Sequence, residues 1–180
     1  MGVVNRSLQL RLVAAVAALS LAAVAGGQVP QWKTYKYPED GFSVSFPSDP
    51  ALQNQSVPTD AGSFQVRMYI ADDAPGGMII GVCDYGALAE GKDPNALLQG
   101  GKDGALKNTN THLLREKKIV LGVNQGLEFE AENDLLHAIV RLYLSGTTLY
   151  EVLVAYPISK PYGHATQFFG SFQLIPRTVK

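Results

Sequence analysis

The segment from residue 113 to residue 157 constrains the fold most, because alternating apolar and polar residues run between short turn signals. The turn signals are Gly122 to Gly126, Asn133-Asp134 and Ser145 to Thr148, and such sequences join antiparallel strands. If Asn133-Asp134 is a two-residue turn, Glu130 faces His137. One face then collects apolar side chains: Leu127, Phe129, Ala131, Leu136, Ala138, Val140, Leu142 and Leu144. A slip of one residue would set this apolar row against an acidic one, so the sequence predicts this register.

Strand-like runs also lie on both sides of this segment. Phe64 to Ile70 and Met78 to Tyr85 predict a hairpin around a loop rich in Asp, Pro and Gly. Leu149 to Tyr156 is apolar on both parities except at Glu151, which predicts a central strand covered on both faces.

The start of the domain shows the same alternation. Trp32 to Tyr37 and Phe42 to Phe46 predict two short strands around a turn. The stretch from Ala51 to Ala61 is mostly polar and contains Pro58, so we expect a loop there.

Two helices complete the predicted fold. Asp93-Pro94 is typical of a helix N-cap followed by proline, and leucines and alanines at helical spacing extend the pattern to about Lys107. Pro161 is expected to begin a last helix whose apolar side chains are Ala165, Phe168, Phe169 and Phe172. The sequence therefore predicts an α+β fold, with an antiparallel sheet of about six to eight strands packed with helices.

The first 25 residues have the pattern of a secretory signal peptide. Arg6 and Arg11 precede a short apolar run, and Ala23-Val24-Ala25 fits a cleavage site. The apolar run is shorter than the ~20 residues that a spanning helix needs. We expect residues 26–180 to form a single domain that is exported to the periplasm or the extracellular space and does not span the membrane after cleavage. The formal net charge of -1 provides no basic field for nucleic acid.

Four short motifs resemble those of PsbP-like domains. They are Tyr35-Lys36-Tyr37-Pro38, Gly41-Phe42-Ser43-Val44-Ser45-Phe46-Pro47, Gly146-Thr147-Thr148-Leu149-Tyr150-Glu151-Val152 and Phe168-Phe169-Gly170-Ser171-Phe172-Gln173-Leu174. The resemblance implies an α/β/α sandwich and a non-enzymatic role. Photosynthetic members are extrinsic proteins that assist photosystem II, and many bacterial relatives are exported proteins without assigned roles. This sequence lacks the Gly-Val-Asp type segment expected after the first strand pair of a photosynthetic member, and no binding residue of the family carries over.

The best candidate site is the polar face of the predicted hairpin. It comprises Glu128, Glu130, Glu132, His137, Arg141 and Tyr143. One interpretation is a solvated face with ordinary cross-strand charge pairing. The other is a binding patch for a partner or a cation, since unpaired carboxylates on one face repel each other and attract positive charge.

No catalytic motif is recognisable in the sequence, and we expect neither an enzyme nor a bound cofactor. The three histidines fall on separate predicted elements and suggest no metal site, and Asp72-Asp73 is expected to be a solvated turn. The sequence thus favours an exported, non-catalytic binding or assembly protein with a partner in the cell envelope. The alternative is an envelope hydrolase, or a small-ligand or cation-binding protein, that uses the face with Glu130 and His137.

Overall fold

The computed structural model describes residues 31–59 and 62–178. The predicted signal peptide, residues 1–25, lies outside these ranges, so the division at residue 25 stays a prediction. Within the described residues, none of the helices combines the length and the apolar character needed to cross a membrane.

Most of the chain forms a seven-stranded sheet in which all neighbours are antiparallel. In sheet order the strands are β3 (Ala51–Thr59), β4 (Gly62–Asp73), β5 (Gly76–Asp84), β9 (Thr148–Pro157), β8 (Leu136–Ser145), β7 (Asn124–Glu132) and β6 (His112–Leu121). The strand with apolar residues on both parities, β9, lies at the centre as predicted. The antiparallel α+β fold is confirmed.

A separate three-stranded sheet contains the first two strands of the domain. It pairs β1 (Lys33–Tyr37) with β2 (Phe42–Phe46), and β2 in turn with β10 (Gln173–Leu174). The short motifs at the start and near the end of the chain therefore meet in one sheet.

Each face of the large sheet has its own core. Helix α1 (Pro94–Thr109) packs on one face, where Leu98 joins a buried cluster with Phe129, Val140 and Leu142. Helix α2 (Ala165–Ser171) lies over the opposite face together with the small sheet. Its Phe168 and Phe169 pack there with β2 and with the inward residues of β5 and β9.

The structure confirms the predicted start of α1. The Asp93 side chain accepts a hydrogen bond from the backbone N–H of Asn95 at 3.1 Å, as an N-cap does, and Pro94 follows. At the other end Asn110 adopts the left-handed conformation with a φ of 51°.

Two predicted boundaries are wrong. Ala51–Thr59 is an edge strand and not a loop, because it pairs with β4 along all nine residues. An edge strand needs little apolar alternation, so its polar composition concealed it. The last helix begins at Ala165, four residues after Pro161.

The register of the β7–β8 hairpin also differs from the prediction. The turn residues are Asp134-Leu135, and the backbone N–H of Asn133 donates to the carbonyl of Leu136 at 3.0 Å. The Asn133 side chain accepts from the backbone N–H groups of Leu135 and Leu136 at 2.9 and 3.0 Å, and this Asx interaction places Asn133 before the turn. Glu132 therefore faces His137. The shift is two residues, so every side chain keeps its predicted face.

Candidate functional site

The predicted polar residues do converge, and they do so in a larger array. Three carboxylates, Glu128, Glu130 and Glu132, follow one another at alternate positions of β7. Basic side chains from both neighbouring strands approach them. They are His112, Arg115 and Lys117 on β6 and His137 and Arg141 on β8. We call these eight residues the ion-pair ladder. The ladder lies on the face of the seven-stranded sheet that α2 also covers.

Glu128 is held between two cations. Lys117 Nζ lies 2.7 Å from one carboxylate oxygen, and Arg141 Nε lies 2.6 Å from the other. Burial raises the pKa of Glu128, but the hydrogen bonds from Lys117 and Arg141 outweigh it and hold this pKa below its ordinary value. Glu128 is therefore a carboxylate at neutral pH and a poor proton acceptor.

His137 lies between the other two carboxylates. Its Nε2 is 3.5 Å from Glu130 and its Nδ1 is 3.5 Å from Glu132. Glu130 also accepts a hydrogen bond from Arg115 at 2.5 Å, and Glu132 lies 3.7 Å from His112. The direct partner of His137 across the strands is Glu132, and the approach to Glu130 is diagonal.

Two of the predicted site residues, Arg141 and Tyr143 on β8, contact the core. The guanidinium of Arg141 lies over the ring of Phe169 on α2, 4.5 Å from its centroid, as in a cation–π contact. Tyr143 is buried and stacks on Phe172 at 5.8 Å. Burial raises the pKa of Tyr143, and the neighbouring Arg141 opposes this effect. Of the six predicted site residues, Tyr143 thus packs in the core and the other five join the ladder.

Sequence reasoning missed the cations of β6. Arg115 and Lys117 were not among the candidates, although their alternate spacing on a strand indicates a common face. Their presence means that the acidic residues of the ladder are paired, so the unpaired cluster that would attract a cation is not formed. Among the described residues, no group of three or more His, Cys, Asp or Glu side chains is arranged to hold a metal ion.

A second polar cluster centres on Asp73, at the end of β4. Its side chain is only 4% exposed, so the expectation of a solvated turn is wrong at this residue. Tyr162 donates its hydroxyl hydrogen to Asp73 at 2.5 Å, and His164 Nδ1 lies 2.7 Å from the same oxygen. Burial and the Asp73 hydrogen bond both raise the pKa of Tyr162 above its ordinary value. The ring of Trp32 meets His164 edge-on at 5.9 Å.

Aromatic rings join the Asp73 cluster to the ion-pair ladder. Tyr156 lies 5.2 Å from His137 on one side and stacks on Tyr162 at 5.1 Å on the other. Both clusters consequently belong to one strip along the same sheet face. The sequence offered no signal for this connection, because Tyr156 and Tyr162 belong to different elements.

An open cleft of about 430 Å³ lies at a different place, where the C-terminal segment crosses the end of β9. Arg177 spans it, with hydrogen bonds to Asp84 at 3.2 Å and to Thr148 at 2.8 Å. The cleft does not include any of the six predicted site residues.

Comparison with known proteins finds a likeness in the fold. No family model matches the sequence, and no curated protein matches it. The fold is PsbP-like: the structure resembles the solution structure of cyanobacterial PsbP, CyanoP, from Synechocystis, with a TM-score of 0.54 over 86% of this chain and 98% of that chain. The sequence identity is 10%, so the likeness concerns the fold alone.

Proposed function

We propose that this chain is an exported, non-catalytic binding or assembly protein of the cell envelope, and that the ion-pair ladder is its contact surface. One observation carries the proposal. Arg115 and Lys117 remain 75% and 65% exposed, whereas the side chains of their partners Glu130 and Glu128 are 15% and 13% exposed. Positive groups fixed by carboxylates beneath them are suited to meeting acidic groups on a partner.

The pairing within the ladder supports binding over catalysis. A hydrolase mechanism would need Glu130 or His137 to take a proton from water or substrate. Glu130 already accepts a hydrogen bond from Arg115 at 2.5 Å through one oxygen, and His137 lies 3.5 Å from its other oxygen, so both groups are already engaged within the ladder. The alternative of an envelope hydrolase is therefore less well supported, as is a cation site built on these carboxylates.

The export part of the proposal depends on the pattern of residues 1–25. The single cysteine has no disulfide partner within the chain, so the exported domain would depend on its own core. A partner in the cell envelope is part of the same proposal, because an exported domain would meet its partner there.

The test is affinity capture from the envelope fraction of the source cells, with matched lysine variants. Lys117 and Lys118 are neighbours on β6, but their side chains lie on opposite faces because Lys117 pairs with Glu128 and Lys118 with Leu127. We expect Lys117→Ala with Arg115→Ala to lose the captured protein, and Lys118→Ala to retain it. Equal capture by all variants would contradict the ladder as the contact surface.

A further inference from the structure

The two edges of the seven-stranded sheet differ in how they are guarded against pairing with another strand. The β6 edge carries four consecutive charged residues, from Arg115 to Lys118, and its register shifts between Leu113 and Arg115. Charges and bulges are the devices by which natural sheets block edge-to-edge association. The β6 edge is therefore protected.

The β3 edge has neither device over most of its length. Residues Ala51 to Val57 include no charged residue, and β3 pairs with β4 without a register shift. Pro58 lies near the end of the strand and leaves the preceding residues unguarded. Alternate residues of an antiparallel edge strand direct their backbone N–H and C=O groups away from the sheet. Within residues 31–59 and 62–178, no strand pairs with this outer side of β3.

We propose that residues Ala51 to Ser56 of β3 pair with the same segment of a second copy of this chain, in antiparallel orientation about a two-fold axis. The charge pattern is what selects a second copy as the occupant. Two-fold antiparallel pairing sets a segment opposite the same segment of the second copy, with the residue at the axis facing its own copy, and like charges placed opposite each other are destabilising. A β3–β3 pair contains no charges, whereas a β6–β6 pair would bring lysines together.

The side chains of β3 also fit a copy of themselves. Gln53, Asn54 and Gln55 carry amides that both donate and accept hydrogen bonds, so the amides of the two copies can pair across the axis. The side chain of Leu52 is 53% exposed, and part of it would become buried when the β3 strand of a second copy extends the sheet. Edge pairing alone buries less surface than the ~1,200 Å² of a standard stable interface, so the dimer is concentration-dependent.

Sedimentation equilibrium of the purified protein at several concentrations tests the proposal. We expect a monomer–dimer equilibrium that Asn54→Lys with Ser56→Lys weakens at least tenfold in Kd. The control adds the same charge at the other edge, as Leu114→Lys with Val120→Lys, and should leave Kd within twofold. Circular dichroism of each variant checks that it is folded. A protein that stays monomeric at the highest concentration, or equal weakening by the control, would overturn the proposal.

A second measurement does not depend on added charge. Single cysteines are introduced as Gln53→Cys, Asn54→Cys or Gln55→Cys, since the native Cys83 is buried. Oxidation should give a disulfide-linked dimer for the position nearest the two-fold axis, and none for Val120→Cys on β6. Absence of a crosslink at all three β3 positions would contradict the pairing.

Discussion

Arg141 and Glu128 face each other directly across β8 and β7, with Nε 2.6 Å from the carboxylate. The same guanidinium packs on Phe169 of α2 at 4.5 Å. This pair therefore links the ion-pair ladder to the helix that covers the sheet, and a change at either residue affects both the surface charge and the packing beneath it.

Glu128→Gln should destabilise the fold. The substitution keeps the shape but leaves Lys117 and Arg141 without their shared carboxylate, and breaking a mostly buried, charge-assisted pair costs about 1–3 kcal/mol. Urea unfolding at pH 7 measures the change in the free energy of unfolding. Glu90→Gln, at an exposed position, is the control and should change it by less than about 0.5 kcal/mol. Similar values for the two variants would mean that the pair contributes little.

The contribution of Glu128 to stability should vanish in acid. Its pKa is lower in the folded protein than the ordinary value of 4.5, so the stabilisation is present above pH 4.5 and is lost as the pH falls through the folded-state pKa. The difference in unfolding free energy between wild type and Glu128→Gln should therefore shrink steadily below pH 4.5. A difference that stays constant between pH 6 and pH 3 would contradict the lowered pKa.

The effect of Glu151 on stability should have the opposite pH dependence to that of Glu128. It lies on the α1 face of β9 between Gly81 and Leu142, and burial raises its pKa to about 7. Because the folded-state pKa exceeds the ordinary value of 4.5, stability is fully present below pH 4.5 and is lost as the pH rises through 7. Glu151→Gln should thus gain about 1–3 kcal/mol over wild type at pH 8 and little at pH 4.5. Urea unfolding at the two pH values measures this difference in unfolding free energy. An equal gain at both pH values would mean that the carboxyl group of Glu151 does not titrate between them.

Trp32 should report on the Asp73 cluster. It is the only tryptophan of the chain, and its ring meets His164, which Asp73 holds at 2.7 Å. Asp73→Ala releases His164 and Tyr162, so the emission maximum of Trp32 should shift to longer wavelength as the ring gains water contact. Asp72→Ala changes the exposed neighbour and is the matched control. An unshifted spectrum for Asp73→Ala would mean that Asp73 does not position His164.

The sequence predicted the large elements because their signals are local. The parity of β7 and β8 assigned every side chain of the hairpin to its face, and Asp93-Pro94 located the start of α1. The register error arose because Asn133 can stand within a two-residue turn or just before it, and only its side-chain hydrogen bonds to Leu135 and Leu136 distinguish the two.

Only part of the candidate site could be predicted from the sequence, because only some of its contacts are local. Glu128, Glu130, His137 and Arg141 lie within one hairpin, so their proximity follows from local pairing. The partners that neutralise the carboxylates come from β6, and those of Asp73 come from a loop some ninety residues away. Contacts between distant elements depend on the order of strands in the sheet, and alternation along one strand carries no information about that order.

The proposed role of the ion-pair ladder is to form the contact surface for a partner. Hydrogen–deuterium exchange of the protein, with and without the envelope protein that it captures, tests this most directly. We expect added protection in β6 and β7, residues 112–132, and none in the C-terminal segment that lines the Arg177 cleft. Protection confined to that cleft or to β3, with β6 and β7 unchanged, would contradict it.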